Sequence, residues 1–242
     1  RTLRLSDEMF FLNKKYYVPI LEGLIARGLK FNMWAYARVD TVRKDQLELF
    51  KKAGVNWLAL GIESGNQNVR VEIDKGRFQQ VNIREVVQRI KEAGIYVLGN
   101  YIFGFPEDTN ATMQQTLELA TELNCEHSTF YPAQALPGSP LFLYAKQQGW
   151  DLPKKYEEFA FLSYDCKPLR TKHLTAREVL QFRDEAWDFK NIQSVPQWQD
   201  QNIWDFIDIS VNPNDPLEYA VASYSEKPLT IFSSDTVVIC LL

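Results

Sequence analysis

Two glutamates, each placed where a predicted strand ends, are the side chains of this sequence best suited to bind a polar ligand. Glu63 lies in the segment Gly61–Gly65, and Glu107 closes the segment Asn100–Glu107. The glycines beside Glu63 let the backbone approach a ligand closely, and its carboxylate can accept hydrogen bonds from two hydroxyl groups of a ribose. A plain strand–turn–helix junction, in which Glu63 caps a helix or pairs with Arg38, explains the first segment without any ligand.

The second segment has the residue types that can hold a flat base. Main chain beside Gly104 can hydrogen-bond the edge of a base, and Ile102 can offer apolar surface to its ring. The acidic residues that follow Pro106 suit the positive end of a helix dipole. Helix initiation alone would explain the same residues, so the segment does not identify a ligand by itself.

Other catalytic patterns are missing from the sequence. It contains no P-loop, GxGxxG or HExxH motif, and no Ser–His–Asp or Cys–His set. The separations of Cys125, Cys166 and Cys240 match no zinc, iron–sulfur or thioredoxin spacing. His127 falls at the start of a predicted strand, and we interpret it as structural.

A repeated unit of helix, glycine and strand positions the two glutamate segments. Amphipathic helices end at Gly28, Gly54 and Gly94, and Asn124 takes the place of the glycine in a fourth copy. The strands that follow these residues, together with one at the N-terminus, are predicted over 3–6, 31–37, 55–62, 95–105 and 126–133. Alternating strands and helices predict a parallel sheet with helices outside it.

Polar side chains follow all five predicted strands. They are Asp7 and Glu8, Arg38 and Asp40, Glu63 and Ser64, Glu107, and Gln134. Two architectures remain open, a doubly wound sheet and a closed or partly closed barrel, and both bind ligands at the carboxyl ends of their strands. Five polar strand ends directed toward one mouth favour a barrel-type site.

Composition sets the outer limits of function. The 242 residues carry a net charge of −4, which gives no reason to expect general nucleic-acid binding. No apolar run is long enough to span a membrane, no signal peptide is visible, and three cysteines fit a cytoplasmic protein. Residues 191–242 hold seven acids and one lysine, so we expect an acidic C-terminal appendage after a domain over 1–190.

Taken in order along the chain, the motifs resemble the middle and end of a radical SAM domain. They are Ser6–Phe10, Arg38–Asp40, Gly61–Gly65, Lys75–Gly76, Lys91–Ile95, Ile102–Thr109 and Pro137–Leu141. The branch that they resemble includes many enzymes with an upstream cobalamin-binding domain. The resemblance covers about residues 1–190.

The resemblance implies a partial (β/α)6 TIM-like barrel that lacks its first βα unit and binds S-adenosylmethionine at the strand carboxyl ends. The residues implied in cofactor binding are Asp7, Glu8, Arg38, Glu63, Ser64, Ile102, Gly104, Glu107 and Tyr131. Among these, Asp7 and Glu8 would meet the methionine amino group and Glu63 the ribose. Ile102, Gly104 and the backbone near Tyr131 would hold the adenine, although Asn100 stands where the family motif begins with glycine.

The sequence departs from the family in one essential feature. Family members bind a 4Fe–4S cluster through the cysteines of a CxxxCxxC loop. The cluster reduces S-adenosylmethionine and so generates a 5′-deoxyadenosyl radical. The CxxxCxxC motif is absent from this sequence. We therefore expect an N-terminally truncated radical SAM enzyme that is inactive alone. Its cluster ligands would lie outside this chain. Cobalamin is a possible second cofactor of the complete form. The alternative is a non-catalytic barrel remnant that binds S-adenosylmethionine, another ligand or a partner, and a cofactor-free hydrolase or aldolase is a weaker third.

The predicted first strand also presents an edge without a neighbour, near Leu3 to Ser6. Unpaired backbone groups on such an edge promote association with another strand. We expect self-association, aggregation, or covering of the edge by residues 229–242.

Overall fold

The computed structural model describes residues 2–7, 9–74, 81–161, 166–194 and 237–239. Side chains are described in the same ranges except 72–74, 188–194 and 237–239. Glu8, Cys240 and the Lys75–Gly76 motif lie outside the described residues, as does most of the predicted appendage.

The described ranges contain six parallel strands and seven α-helices, with at least one helix between successive strands. The strands are β1 (Thr2–Leu5), β2 (Asn32–Arg38), β3 (Val55–Glu63), β4 (Tyr96–Phe103), β5 (His127–Pro132) and β6 (Val237–Ile239). The helices are α1 (Lys14–Ala26), α2 (Leu47–Ala53), α3 (Gln67–Asp74), α4 (Ile83–Glu92), α5 (Asn110–Leu123), α6 (Pro140–Gln147) and α7 (Ala176–Ser194). None of these helices is long and apolar enough to cross a membrane.

The order of the strands in the sheet distinguishes a barrel-type fold from a doubly wound sheet. The sheet runs β5-β4-β3-β2-β1-β6, and every neighbouring pair is parallel. From β1 to β5 the order in space follows the order in the chain, without the reversal that defines a doubly wound sheet. Sequential parallel winding is the pattern of a (β/α) barrel, so the barrel-type prediction is confirmed in its winding.

The outer edge of β1 carries a short strand from the far end of the chain. Val237–Ile239 pair in parallel with Leu3–Leu5. This is the edge that the sequence leaves without a neighbour, and three residues from the 229–242 segment lie along it. The last helix, α7, continues through Ser194, four positions beyond the predicted domain boundary at 190, which itself stays a prediction.

Local signals at the helix ends act as the sequence indicates. Asn82 accepts a hydrogen bond from the backbone N–H of Glu85, which begins α4. Thr175 accepts from the N–H of Glu178, and the Glu178 carboxylate accepts from the N–H of Thr175. Asn124 takes the left-handed conformation at the end of α5, with φ of 41°. Pro19 lies inside α1, which continues through it as one helix.

The two faces of the sheet carry different side chains because successive residues of a strand point to opposite sides. On one face, residues such as Leu58, Leu60 and Ile62 pack into the main core together with helices α1, α2, α4, α5 and α7. The other face carries a second cluster, of strand residues alone among those described. Its members are Trp34, Trp57 and Ala59, with Tyr36, Tyr96 and Leu98 packed against them.

Candidate functional site

The carboxyl ends of β1 to β5 meet at one edge of the sheet because all five strands are parallel. The sequence-predicted residues that the structure describes lie at or just beyond these strand ends, and the next paragraphs take them strand by strand. Glu8 is the one predicted site residue outside the described ranges.

At the ends of β1 and β2, two predicted residues are engaged in local hydrogen bonds. Asp7 Oδ1 accepts from the backbone N–H of Met9 at 2.8 Å, which shapes the turn after β1. Arg38 donates from Nε to Asp40 Oδ1 at 2.9 Å and from Nη2 to Asp40 Oδ2 at 2.8 Å. This bidentate pair is half-buried and balances the charge of Arg38 locally.

Glu63 has the most unusual backbone of the site. Its φ is 67°, in the left-handed region that costs a non-glycine residue about 1–2 kcal/mol. The β3–β4 register shifts between Gly61 and Glu63. A Cβ added to Gly61 would lie 2.8 Å from Glu63 Oε1, so the carboxylate lies against the Gly61 backbone. Backbone strain of this kind concentrates at functional sites, which supports a binding role for Glu63.

Ser64 and Gly65 join the β3 end to helix α5. Ser64 is fully buried and its Oγ lies 3.2 Å from Thr116 Oγ1. The Gly65 N–H donates to Thr116 Oγ1 at 2.9 Å, and a Cβ on Gly65 would be 2.4 Å from the Gln115 carbonyl oxygen. The structure therefore gives Ser64 a role in holding the loop, and its predicted place near a ribose stays a prediction.

At the end of β4, Gly104 is held by packing and by a buried acid. Its φ is 89°, and a Cβ there would lie 2.5 Å from Val179 Cγ1 of α7. The N–H groups of Gly104 and Phe105 both donate to Asp108 Oδ2, at 3.0 and 2.9 Å. The Gly104 N–H thus has a partner within the loop.

Asp108 organises this loop and was not singled out as a site residue from the sequence. It is 1% exposed, and Thr112 Oγ1 donates to its other carboxylate oxygen at 2.6 Å. Burial raises the pKa of Asp108, while the Thr112 hydroxyl and the two N–H groups act in the opposite direction. The sequence feature that could have identified Asp108 is its position directly before the helix-capping residue Thr109.

The other predicted residues of the β4 segment differ in surroundings. Ile102 is half-buried and packs with Val69, Phe105 and Ala133. Glu107 forms an ion pair with Lys172, which raises the pKa of that lysine. The Lys172 N–H also donates to the Pro106 carbonyl oxygen at 2.9 Å. Glu107 therefore contributes to joining the β4 end to the segment before α7.

Tyr131, near the end of β5, interacts electrostatically with side chains from several strands. Burial raises the pKa of its hydroxyl; Tyr36 and Glu63 act in the same direction, and Thr129 and Arg4 oppose them. All five of these side chains therefore lie close enough to interact on the face opposite the helices. Sequence reasoning missed Arg4 as part of this group, although its position between buried leucines in a predicted strand was the available signal.

Gln134, one residue beyond β5, is buried and only partly satisfied. Its Nε2 donates to the Glu158 carbonyl oxygen at 3.4 Å, whereas Oε1 has no hydrogen-bond partner among the residues that the structure describes. At the opposite end of β5, burial lowers the pKa of His127 to about 4 and keeps it neutral at physiological pH, and its interpretation as structural stays a prediction.

The described residues do not fit an iron–sulfur cluster. No three histidine, cysteine or acidic side chains among them form a group that could hold a metal ion. Cys125 is buried with its Sγ 3.9 Å from the Tyr101 hydroxyl, and Cys166 is buried in a separate segment. The polar strand ends around Glu63 do fit a ligand with hydroxyl groups, because a carboxylate lies there beside a glycine.

Comparison with protein families gives one match. The model of the Radical SAM superfamily matches residues 13–120, which include β2, β3, β4 and nearly all of α5. This range contains the Glu63 and Gly104 segments and excludes β1 and β5.

The chain is similar in sequence to several larger proteins. It is 26% identical over 187 residues to an uncharacterised methyltransferase of Pyrococcus horikoshii, covering 77% of this chain and 40% of that protein. It is 26% identical over 161 residues to a bacteriochlorophyllide d C-12(1)-methyltransferase of Chlorobaculum tepidum, covering 64% and 34%. The chain therefore spans less than half the length of either relative.

Two solved structures show the same fold at low sequence identity. The radical S-adenosylmethionine methyltransferase TsrM from Kitasatospora setae aligns with a TM-score of 0.53 and 18% identity, over 60% of this chain and 30% of that one. Coproporphyrinogen III oxidase (HemN) from Escherichia coli, a radical SAM enzyme, aligns with a TM-score of 0.54 and 19% identity, over 80% of this chain and 40% of that one.

Proposed function

We propose that the chain is a member of the Radical SAM superfamily, whose model matches residues 13–120, and that it binds S-adenosylmethionine across the carboxyl ends of β3, β4 and β5. The observation that carries this proposal is Glu63. Its left-handed backbone and the neighbouring Gly61 direct a carboxylate along the sheet face that also carries Tyr131. A carboxylate is the natural acceptor for a pair of ribose hydroxyls.

The remaining contacts follow from the same edge. Half-buried Ile102 would offer apolar surface to the adenine ring, and the main chain near Tyr131 would reach the edge of the base. The Gly104 N–H is already donated to Asp108, so Gly104 would contribute by close packing and not by that hydrogen bond. Asp7 would contact the methionine amino group when S-adenosylmethionine is bound.

The role of these residues is therefore to bind and orient S-adenosylmethionine. When bound in a family member, a 4Fe–4S cluster supplies the electron that cleaves this cofactor. The described residues do not fit such a cluster. We propose that the cluster ligands lie outside the 242 residues, and that the complete protein performs the hydrogen abstraction or methyl transfer.

Methyl transfer is the reaction class that the relatives favour. Two of the relatives are named methyltransferases. A structure of TsrM has cobalamin and a [4Fe-4S] cluster bound. For this protein, a cobalamin belongs to the proposal for the complete form only. An upstream domain that binds hydroxocobalamin stoichiometrically would support it.

A titration of the 242-residue chain with S-adenosylhomocysteine tests the binding proposal. We expect one site per chain and a loss of affinity of about tenfold or more in Glu63→Gln, because a charge-assisted acceptor is replaced. Glu118→Gln, an exposed glutamate of α5, is the matched control and should bind as the wild type does. Absence of binding, or equal affinity in Glu63→Gln, would refute the proposal.

The second candidate is a ligand-binding scaffold without catalysis. The lack of a metal-binding group among the described residues favours it. Anaerobic reconstitution with iron and sulfide tests both possibilities at the level of this chain, because both expect that no cluster forms. A stoichiometric cluster with absorption near 400 nm would contradict both our placement of the cluster ligands and the scaffold hypothesis.

A further inference from the structure

Glu63 is the central residue of a three-residue turn that closes β3. The Ser64 N–H donates to the Ile62 carbonyl oxygen at 3.0 Å, and the φ of Glu63 is 67°. A hydrogen bond between residues two apart, around a positive φ, marks a γ-turn of the rare and strained kind. Such strain persists only where the surrounding contacts fix the backbone. The contacts that hold this turn therefore also decide where the Glu63 carboxylate lies.

Ser64, which follows the turn, is fully buried and is fixed through each of its polar groups. Its N–H closes the turn. Its hydroxyl oxygen lies 3.2 Å from Thr116 Oγ1 of α5 and accepts from the Asn66 N–H at 3.2 Å. Its carbonyl oxygen accepts from Arg70 Nη1 of α3 at 2.6 Å. Two helices therefore hold the residue next to Glu63.

The peptide unit between Ser64 and Gly65 is held at both of its polar ends. Its oxygen accepts from Arg70, and its N–H donates to Thr116 Oγ1 at 2.9 Å. Because a peptide unit is planar, hydrogen bonds at its two opposite ends fix its orientation. Relaxation of the strained φ at Glu63 would have to rotate this peptide unit, and both hydrogen bonds oppose that rotation.

Arg70 is a half-buried cation, and no ion pair in the part of the chain that the structure describes includes it. Burial and the nearby charge of Arg84 lower its pKa, and no acid acts in the opposite direction. A guanidinium nevertheless stays charged in a protein, so its burial costs free energy unless a hydrogen bond offsets that cost. Arg84 pairs with Glu122, whereas Arg70 donates to the Ser64 carbonyl oxygen. The charge of Arg70 is thus committed to the loop beside Glu63.

The helix that carries Arg70 is itself anchored beside the site. At the start of α3, Asn66 Oδ1 accepts from the Val69 N–H at 3.0 Å. Val69 is 3% exposed and packs with Phe105 and Ala133, which follow β4 and β5. Arg70 therefore reaches the loop from a helix that is packed against the neighbouring strand ends.

We propose that Arg70 is a positioning residue for S-adenosylmethionine: it holds the Ser64–Gly65 peptide unit and so keeps the Glu63 carboxylate directed toward the ribose hydroxyls. The inference rests on the proposed function, because Glu63 is the ribose acceptor there. Arg70 acts through Glu63 and does not contact the cofactor. Its removal should therefore matter for binding only while the Glu63 carboxylate is present.

A double-mutant cycle, measured by calorimetric titration of the full chain with S-adenosylhomocysteine, tests this assignment. Arg70→Met keeps the apolar stem, removes the donor, and should weaken binding about fivefold. In the Glu63→Gln background the same change should alter the affinity by less than about twofold, because no carboxylate is left to position. Arg70→Lys, which keeps a cationic donor, should retain part of the lost affinity. Arg89→Met is the matched control, since Arg89 Nε also donates to a backbone carbonyl, that of Glu85 at 3.0 Å, and it should bind as the wild type does.

The outcomes keep this inference apart from the proposed function. Unchanged affinity in Arg70→Met, or an equal loss with and without the Glu63 carboxylate, overturns the positioning role and leaves the proposed function in place. Absence of binding by the wild type refutes the proposed function, and the positioning role with it. Thermal melting of each variant confirms that it is folded at the temperature of the titration. A merely structural role of Arg70 would lower the Tm without making the loss of affinity depend on Glu63.

Discussion

The ends of β3 and β4 look alike in sequence, with glycines followed by a glutamate, but they differ in what holds them. At the β3 end, Glu63 takes a strained backbone and lies against Gly61, whose added Cβ would meet only that flexible side chain. At the β4 end, Gly104 is locked between Val179 and Asp108, and Glu107 pairs with Lys172. We propose the β3 end as the ligand-binding one, whereas the contacts at the β4 end mainly hold the loop in place.

The largest expected effect is on stability at the β4 end. Gly104→Ala combines a left-handed backbone with a Cβ placed 2.5 Å from Val179, and should lower the free energy of unfolding by about 2–5 kcal/mol. Gly61→Ala, the matched change at β3, should alter it by less than about 1 kcal/mol. Urea denaturation of both variants measures the difference. Similar losses at the two glycines would remove the distinction.

Asp108→Ala should destabilise the protein by about 2–4 kcal/mol, because two buried N–H groups and the Thr112 hydroxyl lose their acceptor. Asp45→Ala, an exposed acid paired with Lys14, is the control and should change stability little. The readout is the same denaturation experiment. A neutral Asp108→Ala would mean that water replaces the carboxylate.

Ligand binding should depend more on the glutamate of the β3 end than on that of the β4 end, the reverse of the order expected for stability. Glu63→Gln should weaken S-adenosylhomocysteine by about tenfold or more, and Glu107→Gln by less than about twofold, because Glu107 is engaged with Lys172. Titration calorimetry on both variants gives the ratio. Equal losses would restore Glu107 to the cofactor site that the family resemblance implies.

The smallest expected effect is a pH dependence of the free energy of unfolding that arises from Asp108 at the β4 end. Burial raises the pKa of Asp108 above its ordinary 3.8, so the folded state keeps this proton to higher pH than the unfolded state does. The corresponding stability is present below pH 3.8 and is lost as pH rises through the folded pKa. Wild-type stability minus that of Asp108→Asn should therefore fall with rising pH, and this subtraction cancels the contribution of His127. A flat difference would show that Asp108 is not desolvated.

Much of the fold follows from local patterns that the sequence displays. The capping residues Asn82 and Thr175, and Asn124 in a glycine's place, act over a few residues, so their effect does not depend on distant contacts. The five predicted strands lie within two residues of the observed ones. The sequence left a doubly wound sheet and a barrel open, because strand order depends on long-range pairing that no local pattern encodes.

The site was predictable in position but not in detail. Glu63 and Tyr131 lie at strand ends as the sequence indicates, since parallel strands must bring those ends together. The sequence could not show that Ser64 turns toward Thr116, because that bond joins residues far apart in the chain. It also could not show that Glu107 meets Lys172.

The sequence by itself determined the alternating strands and helices, the edge at which polar residues gather, and the lack of a CxxxCxxC motif. These depend on residue type and short-range spacing. Only the tertiary structure decided that Arg4 lies over Trp34 beside Tyr36, and that Asp108 is buried beneath Gly104. Such contacts depend on how separate strands and helices pack, and packing brings together residues whose distance along the chain carries no signal.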